Sequence, residues 1–125
     1  MTENEISYLI RRCIYEVYNT LGPGLLEKIY VAALCLELHT NGLKFRTEVP
    51  VIPYYKGIKL ELGYRMDILV EELVLIEVKS IENLISMHHL IALNYVKIAC
   101  LKLGILVNFN TDNIEKSIFR KVNNL

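Results

Sequence analysis

Apolar residues recur every three or four positions in the first part of the chain, which is the period of an amphipathic helix. This stripe predicts a helix over residues 3–21, and Gly22-Pro23-Gly24 ends it because proline cannot continue the hydrogen-bond ladder. A second helix, over residues 25–40, is apolar around most of its circumference, which predicts burial on more than one side. The first stripe consists of Ile6, Ile10, Cys13, Val17 and Leu21.

The period changes to two after residue 43, which is the alternation of a half-buried strand. Turn residues, Lys56-Gly57 and Glu71-Glu72, interrupt this part of the chain. Strands that follow one another across such turns predict an antiparallel meander. The predicted strands cover residues 45–52, 58–70 and 73–79.

Helix and strand signals alternate in the last third of the chain. Ser86 is a candidate N-cap for a third helix over residues 87–101, and a compact apolar strand follows at 104–109. Thr111 or Asp112 could cap a terminal helix that extends to about residue 122. The order α-α-β-β-β-α-β-α predicts an α/β fold, with one mixed central sheet flanked by helices.

Length and composition limit the classes of protein to which the chain can belong. A chain of 125 residues fits a single domain over residues 1–125, and a hydrophobic fraction of 53% excludes disorder. Fourteen basic residues balance 14 acidic ones, which argues against a general nucleic-acid coat protein but not against a local phosphate site. A small chain with this apolar fraction also suggests a homodimer, because some of the apolar residues would be buried against a partner.

Location and redox state follow from the same composition. No apolar run reaches the ~18–20 residues that a membrane span needs, and the polar N-terminus lacks the pattern of a signal peptide. Cys13, Cys35 and Cys100 are far apart and lie in apolar stretches, which predicts buried free thiols in a cytoplasmic protein. The absence of a CxxC pair argues against structural zinc.

The charged residues of two neighbouring strands carry the chemistry. Glu77 and Lys79 are two apart, so both side chains point to one face of their strand. Asp67 lies on the preceding strand: a two-residue turn would put Ile76 opposite it, and a three-residue turn would put Glu77 there. In either register Asp67 and Glu77 can be cross-strand neighbours.

Two neighbouring carboxylates repel each other, and a hard cation removes that repulsion. Mg²⁺ or Mn²⁺ suits such a site, and the ammonium of Lys79 could orient a water or stabilise negative charge. Metal-assisted hydrolysis of a phosphodiester bond uses groups of these kinds. The alternative interpretation is that Glu77, Lys79, Asp67 and Arg65 are surface charges of a half-exposed sheet. The apolar neighbours of Glu77 favour a site, because charges on a central strand are costly.

Glu27 is a third candidate acid. Tyr30, Val31 and Leu34 lie three, four and seven positions later and share its helix face. A carboxylate on an apolar face needs a cation, a hydrogen-bond donor or a proton. Glu27 is therefore either a third metal ligand or a first-turn glutamate that favours the positive end of the helix.

These motifs together resemble the GxxExxY proteins, a family of the PD-(D/E)XK nuclease-like superfamily. Gly24-Leu-Leu-Glu27-Lys-Ile-Tyr30 is similar to the signature that names the family. Gly63-Tyr-Arg-Met-Asp67 with Glu77-Val-Lys79 resembles its D…ExK core, and the segment 103–110 resembles its last core strand. The resemblance covers about residues 5–121 and implies the restriction-endonuclease-like core αβββαβ.

The resemblance also implies roles for individual residues. Asp67 and Glu77 would bind a divalent metal with the Val78 carbonyl, Lys79 would be the catalytic lysine, and Glu27 would be the helix-borne acid. There is one departure from the family pattern. Related members carry glutamine four residues before the tyrosine of the third long helix, and here Ile91 stands four residues before Tyr95.

Four further features remain, and three of them have two interpretations each. His88 and His89 diverge by about 100° on a helix and are expected to face solvent, although His88 could lie near the site. Arg65 shares the face of Asp67 and could pair with an acid or contact phosphate. Tyr54-Tyr55-Lys56 is either an aromatic and basic patch for single strands or an edge turn with packed rings. Lys116, Arg120 and Lys121 are expected on a solvated helix face.

The sequence thus supports two hypotheses of function. The first is a divalent-metal-dependent nuclease acting on DNA or RNA, with Asp67, Glu77 and Glu27 on the ion. In this hypothesis the supporting residues are Arg65, Tyr30, Tyr95 and His88. The second is a nuclease-fold protein without activity that serves as a nucleic-acid-binding or dimerisation module, which Ile91 and the balanced charge favour.

Overall fold

Two N-terminal helices begin the structure, a computed structural model that describes residues 1–125. Helix α1 spans Glu3–Leu21 and helix α2 spans Glu27–Thr40. Thr2 caps α1 in a reciprocal capping box with Glu5, and Gly22 ends it at φ 67°, a conformation that glycine adopts without steric cost. The prediction for α1 is confirmed at both ends, whereas α2 begins two residues later than predicted.

Seven strands and a third helix follow. The third helix, α3, spans Ser86–Ile98 and starts one residue earlier than predicted, because Ile85 and not Ser86 occupies the N-cap position. The strands are β1 (Phe45–Pro50), β2 (Tyr54–Tyr55), β3 (Ile58–Lys59), β4 (Arg65–Val70), β5 (Val74–Lys79), β6 (Leu103–Asn108) and β7 (Ile118–Val122).

Five of these strands form one mixed sheet in the order β1-β4-β5-β6-β7. Strands β1, β4 and β5 form the predicted antiparallel meander, and α3 then connects β5 to β6, which runs parallel to it. Helices lie on both faces of the sheet, so the predicted α/β fold with a flanked mixed sheet is confirmed. No helix of the structure is both long enough and apolar enough to cross a bilayer.

Two element predictions are wrong. The predicted strand over 58–70 is divided, because residues 54–59 form the separate β2–β3 hairpin and the sheet strand begins only at Arg65. The predicted terminal helix is a 3₁₀ turn at Ile114–Ser117 followed by β7, which pairs antiparallel with β6. Strand β6 is buried along its whole length and needs hydrogen-bond partners on both edges, so pairing outweighs the local helix signal.

Apolar side chains of both sheet faces form the core. The larger cluster joins α1 and α2 to one face, which carries Val74, Ile76 and Val78 of β5. On the opposite face, Leu75 packs beneath Val96 of α3. Because side chains alternate along a strand, Glu77 and Lys79 lie on this α3 face with Leu75.

The cysteine prediction holds for one thiol. Cys13 is buried, and burial raises the pKa of its thiol to about 11. Cys35 is half-buried and Cys100 is exposed, so the expectation of three buried thiols is wrong. All three cysteines are free, as expected. Cys100 is exposed because it follows the end of α3, where the chain turns with a positive φ of 57°.

Gly104 of β6 sets the distance between α3 and the sheet. A Cβ at this position would lie 2.5 Å from Cγ2 of Val96 and 3.1 Å from Cδ1 of Leu75. Contacts this short cannot persist, so any side chain at position 104 would push α3 away from the sheet.

We therefore expect Gly104→Ala to lower the free energy of unfolding by about 1–3 kcal/mol through overpacking. The matched background is Val96→Ala, which removes the clashing methyl groups. In that background Gly104→Ala should cost clearly less, as measured by urea unfolding of the four proteins of the cycle. An equal cost in both backgrounds would show that Val96 is not the obstacle.

Candidate active site

The β4–β5 ladder ends where the candidate site begins. The last backbone pair in register is Ile68 opposite Ile76, which corresponds to a three-residue turn and places Asp67 across from Glu77. At this end two carboxylates accept the backbone hydrogen bonds. Asp67 N donates to Glu77 Oε1 at 3.1 Å, and Val78 N donates to Asp67 Oδ2 at 2.7 Å. Each carboxylate is therefore fixed in place by the backbone of the other strand.

The two carboxylates have no cationic partner in salt-bridge contact. The salt bridges of the structure are Arg46–Glu72 and Lys59–Glu61, both at the exposed surface. Glu77 is 7% exposed, and burial together with the charge of Asp67 raises its pKa to about 8. Burial also raises the pKa of Asp67. The pair thus carries an electrostatic penalty that nothing in the chain offsets fully.

Lys79 lies in the same recess as Glu77. We name this recess the acid pocket; its volume is about 180 Å³. The positive charge of Lys79 lowers the pKa of both Asp67 and Glu77 against the stronger effect of burial. Because Lys79 forms no salt bridge, its ammonium is available to a ligand. The acid pocket is lined by Glu77, Lys79, His88, Ile91, Ala92, Tyr95 and Leu106.

His88 lies in the acid pocket and also caps α3. Its Nδ1 accepts a hydrogen bond from Ile85 N at 3.0 Å, which satisfies an N–H group at the helix start. An accepting Nδ1 leaves the ring proton on Nε2. His88 therefore lies near the site, which agrees with one of its two interpretations. His89 instead packs its ring edge-on against Phe119, and its Nδ1 lies 2.7 Å from Lys121 Nζ.

Tyr95 and Ile91 form the α3 wall of the acid pocket. Burial, and next the negative charge of Glu77, raise the pKa of the Tyr95 hydroxyl, which therefore stays protonated as a hydrogen-bond donor. Ile91 is 43% exposed and stands one helical turn before Tyr95. Position 91 is therefore an apolar part of the pocket wall.

Glu27 reaches the end of β5 from the opposite face of the sheet. It is the first residue of α2, and its Oε2 accepts a hydrogen bond from Ser80 N at 3.3 Å. Its charge raises the pKa of both Asp67 and Glu77, so the three acids form one electrostatic group. They do not form a ready cluster, because no three Asp, Glu, His or Cys side chains of the structure have the arrangement of a metal site.

Tyr30 does not reach the acid pocket. Its ring is fully buried and stacks on Phe109 with centroids 4.4 Å apart. Its hydroxyl donates to Gly22 O and accepts from Leu25 N at 3.2 Å, which closes the loop before α2. The tyrosine of the GxxExxY motif thus holds the loop that positions Glu27.

Arg65 is outside the acid pocket. Its guanidinium donates from Nη1 to the carbonyl of Glu48 at 3.1 Å, and it forms no salt bridge with Asp67. The side chain is exposed at the start of β4. The expectation that Arg65 pairs with an acid of the cluster is therefore not realised in this structure.

Two residues of the site were missed by the sequence interpretation. Ser80 donates its hydroxyl to Leu25 O while its N–H binds Glu27, so it joins the α2 loop to the end of β5. Asn108 is buried at 5% exposure, and its amide group hydrogen-bonds Ile81 N at 3.1 Å and Ile81 O at 2.9 Å. Asn108 was detectable in principle, since it is the polar residue of an otherwise apolar strand.

The donor set fits a hard divalent cation. Asp67 Oδ1 and Glu77 Oε2 have no hydrogen-bond partner in the protein, and no buried polar side-chain atom lacks one, so both oxygens are accessible. Mg²⁺ and Mn²⁺ prefer carboxylate oxygens and keep several waters, so they do not require a closed cage of protein ligands. Asp67 and Glu77 would hold such an ion.

The raised pKa of Glu77 makes the stability of the metal-free protein depend on pH. The folded state holds more protons than the unfolded chain between about pH 4.5 and 8, so the free energy of unfolding falls as pH rises through this window. The Glu77→Gln variant has no ionisable side chain at this position. In the presence of a chelator, we expect its stability relative to wild type to increase from about pH 5 to 8 by a few kcal/mol in denaturant unfolding.

Glu72→Gln is the matched control, because Arg46 lowers the pKa of Glu72. The stabilisation from Glu72 is present at high pH and is lost as pH falls, so its pH trend has the opposite sign to that of Glu77. The effect should be small at this exposed position. A stability difference between Glu77→Gln and wild type that does not change with pH would contradict the raised pKa.

The comparison with known proteins agrees with this geometry. No curated protein and no solved structure shows significant similarity to the chain. A family model described as the PD-(D/E)XK nuclease superfamily matches residues 4–121, a range that includes every residue of the acid pocket together with Asp67 and Glu27. The chain therefore belongs to the PD-(D/E)XK nuclease superfamily.

Proposed function

We propose that this protein is a divalent-metal-dependent phosphodiester hydrolase that acts on DNA or RNA. The observation that carries the proposal is the pair of carboxylates of Asp67 and Glu77, which face each other across two strands. Asp67 is half-buried, Glu77 is buried, and neither forms a salt bridge with a cationic side chain. An arrangement of this kind is unfavourable without a ligand and becomes favourable around a cation. Membership of the superfamily supports a nuclease-like function for the chain.

Hydrolysis needs a water that attacks phosphorus while the bond from phosphorus to the leaving oxygen breaks, after which the leaving oxygen takes up a proton. When bound, Mg²⁺ or Mn²⁺ supplies positive charge that lowers the pKa of a water and offsets charge on the phosphate. Lys79 lies in the acid pocket without a salt bridge and can donate a hydrogen bond to the attacking water or to a phosphate oxygen.

The remaining residues hold this constellation in place. Ser80 and Tyr30 fix the loop that presents Glu27, and His88 fixes the first turn of α3. Tyr95 can donate its hydroxyl toward the same pocket. Within the superfamily we assign the chain to the GxxExxY proteins, which its Gly24-Leu-Leu-Glu27-Lys-Ile-Tyr30 segment supports. The three free thiols support a cytoplasmic location.

A cleavage assay tests the catalytic roles. We expect wild-type protein with Mn²⁺ to cleave plasmid or oligonucleotide substrates, and we expect Lys79→Ala to lower the rate by ~10²–10³-fold, as loss of a transition-state donor does. Asp67→Ala and Glu77→Ala should abolish cleavage, because each removes a ligand of the ion. A chelator should abolish the activity of the wild-type protein.

Lys116→Ala is the matched control for Lys79→Ala, because it removes a lysine from an exposed turn that does not line the acid pocket. It should cleave as wild type does. Thermal unfolding of each variant separates loss of activity from loss of fold. Cleavage that survives Lys79→Ala unchanged would point to a contaminating nuclease and would remove the support for catalysis here.

The second candidate function is a nuclease-fold binding or dimerisation module without hydrolytic activity. The specific observation in its favour is Ile91, which puts an apolar side chain into the wall of the acid pocket. Exposed apolar side chains elsewhere, among them Leu26 at 77% and Leu36 at 69%, would then support a homodimer. A retained ion site would favour the hydrolase, and a degenerate site that binds no ion would favour this module.

Calorimetric titration with Mn²⁺ measures that ion site directly. We expect binding by the wild-type protein, and Glu77→Ala should weaken it by about 100-fold or more, because loss of a direct ligand exceeds the cost of losing an outer contact. At pH 7 the ion should displace a proton, since the pKa of Glu77 is about 8. The measured heat should therefore depend on the ionisation enthalpy of the buffer. Wild-type protein that binds no Mn²⁺ would favour the module.

A further inference from the structure

A second recess adjoins the acid pocket along α3. Its volume is about 310 Å³, and it shares two of its walls, Ile91 and Tyr95, with the acid pocket. We name it the base pocket; Pro53, Tyr64, Ile91, Asn94 and Tyr95 are among its lining residues. A ligand that occupies both recesses must therefore pass directly over Ile91 and Tyr95.

The base pocket has the chemistry of a site for a flat heterocycle. None of its lining side chains is charged, and two of them are tyrosines. Tyr64 is 53% exposed, so one ring is available for stacking. The amide group of Asn94, on an exposed part of α3, forms no side-chain hydrogen bond within the protein and can bind polar ring edges. The volume lies at the lower end of the ~300–1,000 Å³ typical of small-ligand sites.

We propose that the base pocket receives one unpaired nucleobase of a single-stranded nucleic acid, next to the phosphodiester bond held in the acid pocket. This inference rests on the proposed function and specifies its substrate class. Stacking on aromatic side chains tolerates every base, because each base has a π face. Ile91 then has a positive role, since an apolar wall between the two recesses suits the passage of a base better than a polar side chain would.

The recessed shape favours single strands over duplexes. A base in a duplex is stacked on both faces and paired at its edge, so it can enter a recess only after extrusion, which costs a few kcal/mol. A base in a single strand enters without breaking a pair. The protein carries no net charge with which to displace the counterions of a long duplex.

The β2–β3 hairpin extends the same path. It follows directly on Pro53, which lines the base pocket, and its Tyr54 and Tyr55 are 67% and 62% exposed. The ammonium of Lys56 lies 5.4 Å from the centre of the Tyr55 ring, so a phosphate beside a stacked base has a cation within reach. Of the two interpretations of Tyr54-Tyr55-Lys56, the exposure of both rings favours the single-strand patch over packed rings.

Equilibrium binding tests the base pocket independently of hydrolysis. Fluorescence anisotropy is measured with labelled oligo-dT, oligo-U and a DNA duplex of equal length, with Ca²⁺ replacing Mn²⁺ in the buffer. We expect the single strands to bind at least about tenfold more tightly than the duplex, and the two single-strand arms distinguish DNA from RNA. Tyr64→Ala should weaken single-strand binding about tenfold or more, whereas Tyr64→Phe should retain it, because the ring and not the hydroxyl stacks.

Tyr8→Ala is the matched control. Tyr8 is also an exposed tyrosine, at 62% against 53% for Tyr64, but it lies on α1, which packs on the opposite face of the sheet. Its removal should leave binding unchanged. Tyr64→Ala is expected to fold. The backbone hydrogen bond of residue 64, in which its carbonyl accepts from Val51 N at 2.8 Å, does not need the side chain. Thermal unfolding of both variants confirms the fold.

The outcomes separate this inference from the function on which it rests. Equal affinity for duplex and single strand, no detectable binding, or equal losses in Tyr64→Ala and Tyr8→Ala would each overturn the base pocket. A change from dimer to monomer on Tyr64→Ala, seen by light scattering, would overturn it in favour of a self-association surface. Lys79-dependent cleavage without a preference for single strands would support the hydrolase and overturn the base pocket. Tyr64-dependent binding without cleavage would support the base pocket and overturn the hydrolase.

Discussion

The candidate site depends on one exchange of hydrogen bonds between two strands. Where β4 and β5 stop pairing through their backbones, Asp67 and Glu77 each accept an N–H from the other strand. The exchange satisfies two backbone donors at a point where the ladder opens, and it fixes two carboxylates in a largely buried position. Sheet architecture and acidic chemistry are therefore the same feature, because the side chains that end the ladder are those that would hold an ion.

The second constraint is the close approach of α3 to the sheet. Gly104 leaves room for Val96 directly above the strand, so the helix lies low over β6. Tyr95 and Ile91, on a neighbouring face of the same helix, close one side of the acid pocket. Because residues of α3 line both recesses, the distance between this helix and the sheet affects their shape. Gly104, a packing residue without any functional group, thereby contributes to the place where a substrate would lie.

Most of the fold was predictable, because period and turn signals are local. The helix over Glu3–Leu21, the meander and the apolar strand after the third helix all follow from such signals. The strand at Ile118–Val122 was not predictable, because it forms only where the buried strand Leu103–Asn108 offers a free edge. At the site, the acids and Lys79 follow from spacing and resemblance. The tether through Ser80 does not, because it joins residues 55 positions apart.

The contact between Ser80 and the loop before α2 has a dynamic consequence. Glu27 belongs to a helix on one face of the sheet, while Glu77 and Lys79 lie on the other. Ser80, at the end of β5, hydrogen-bonds Glu27 and Leu25, and Tyr30 closes the loop before α2. Opening this loop would break a few hydrogen bonds and leave the core of the sheet intact, so it needs less free energy than global unfolding. In such an opening Glu27 would change its distance from Asp67 and Glu77, while the hydrogen bonds between β4 and β5 keep those two carboxylates in place.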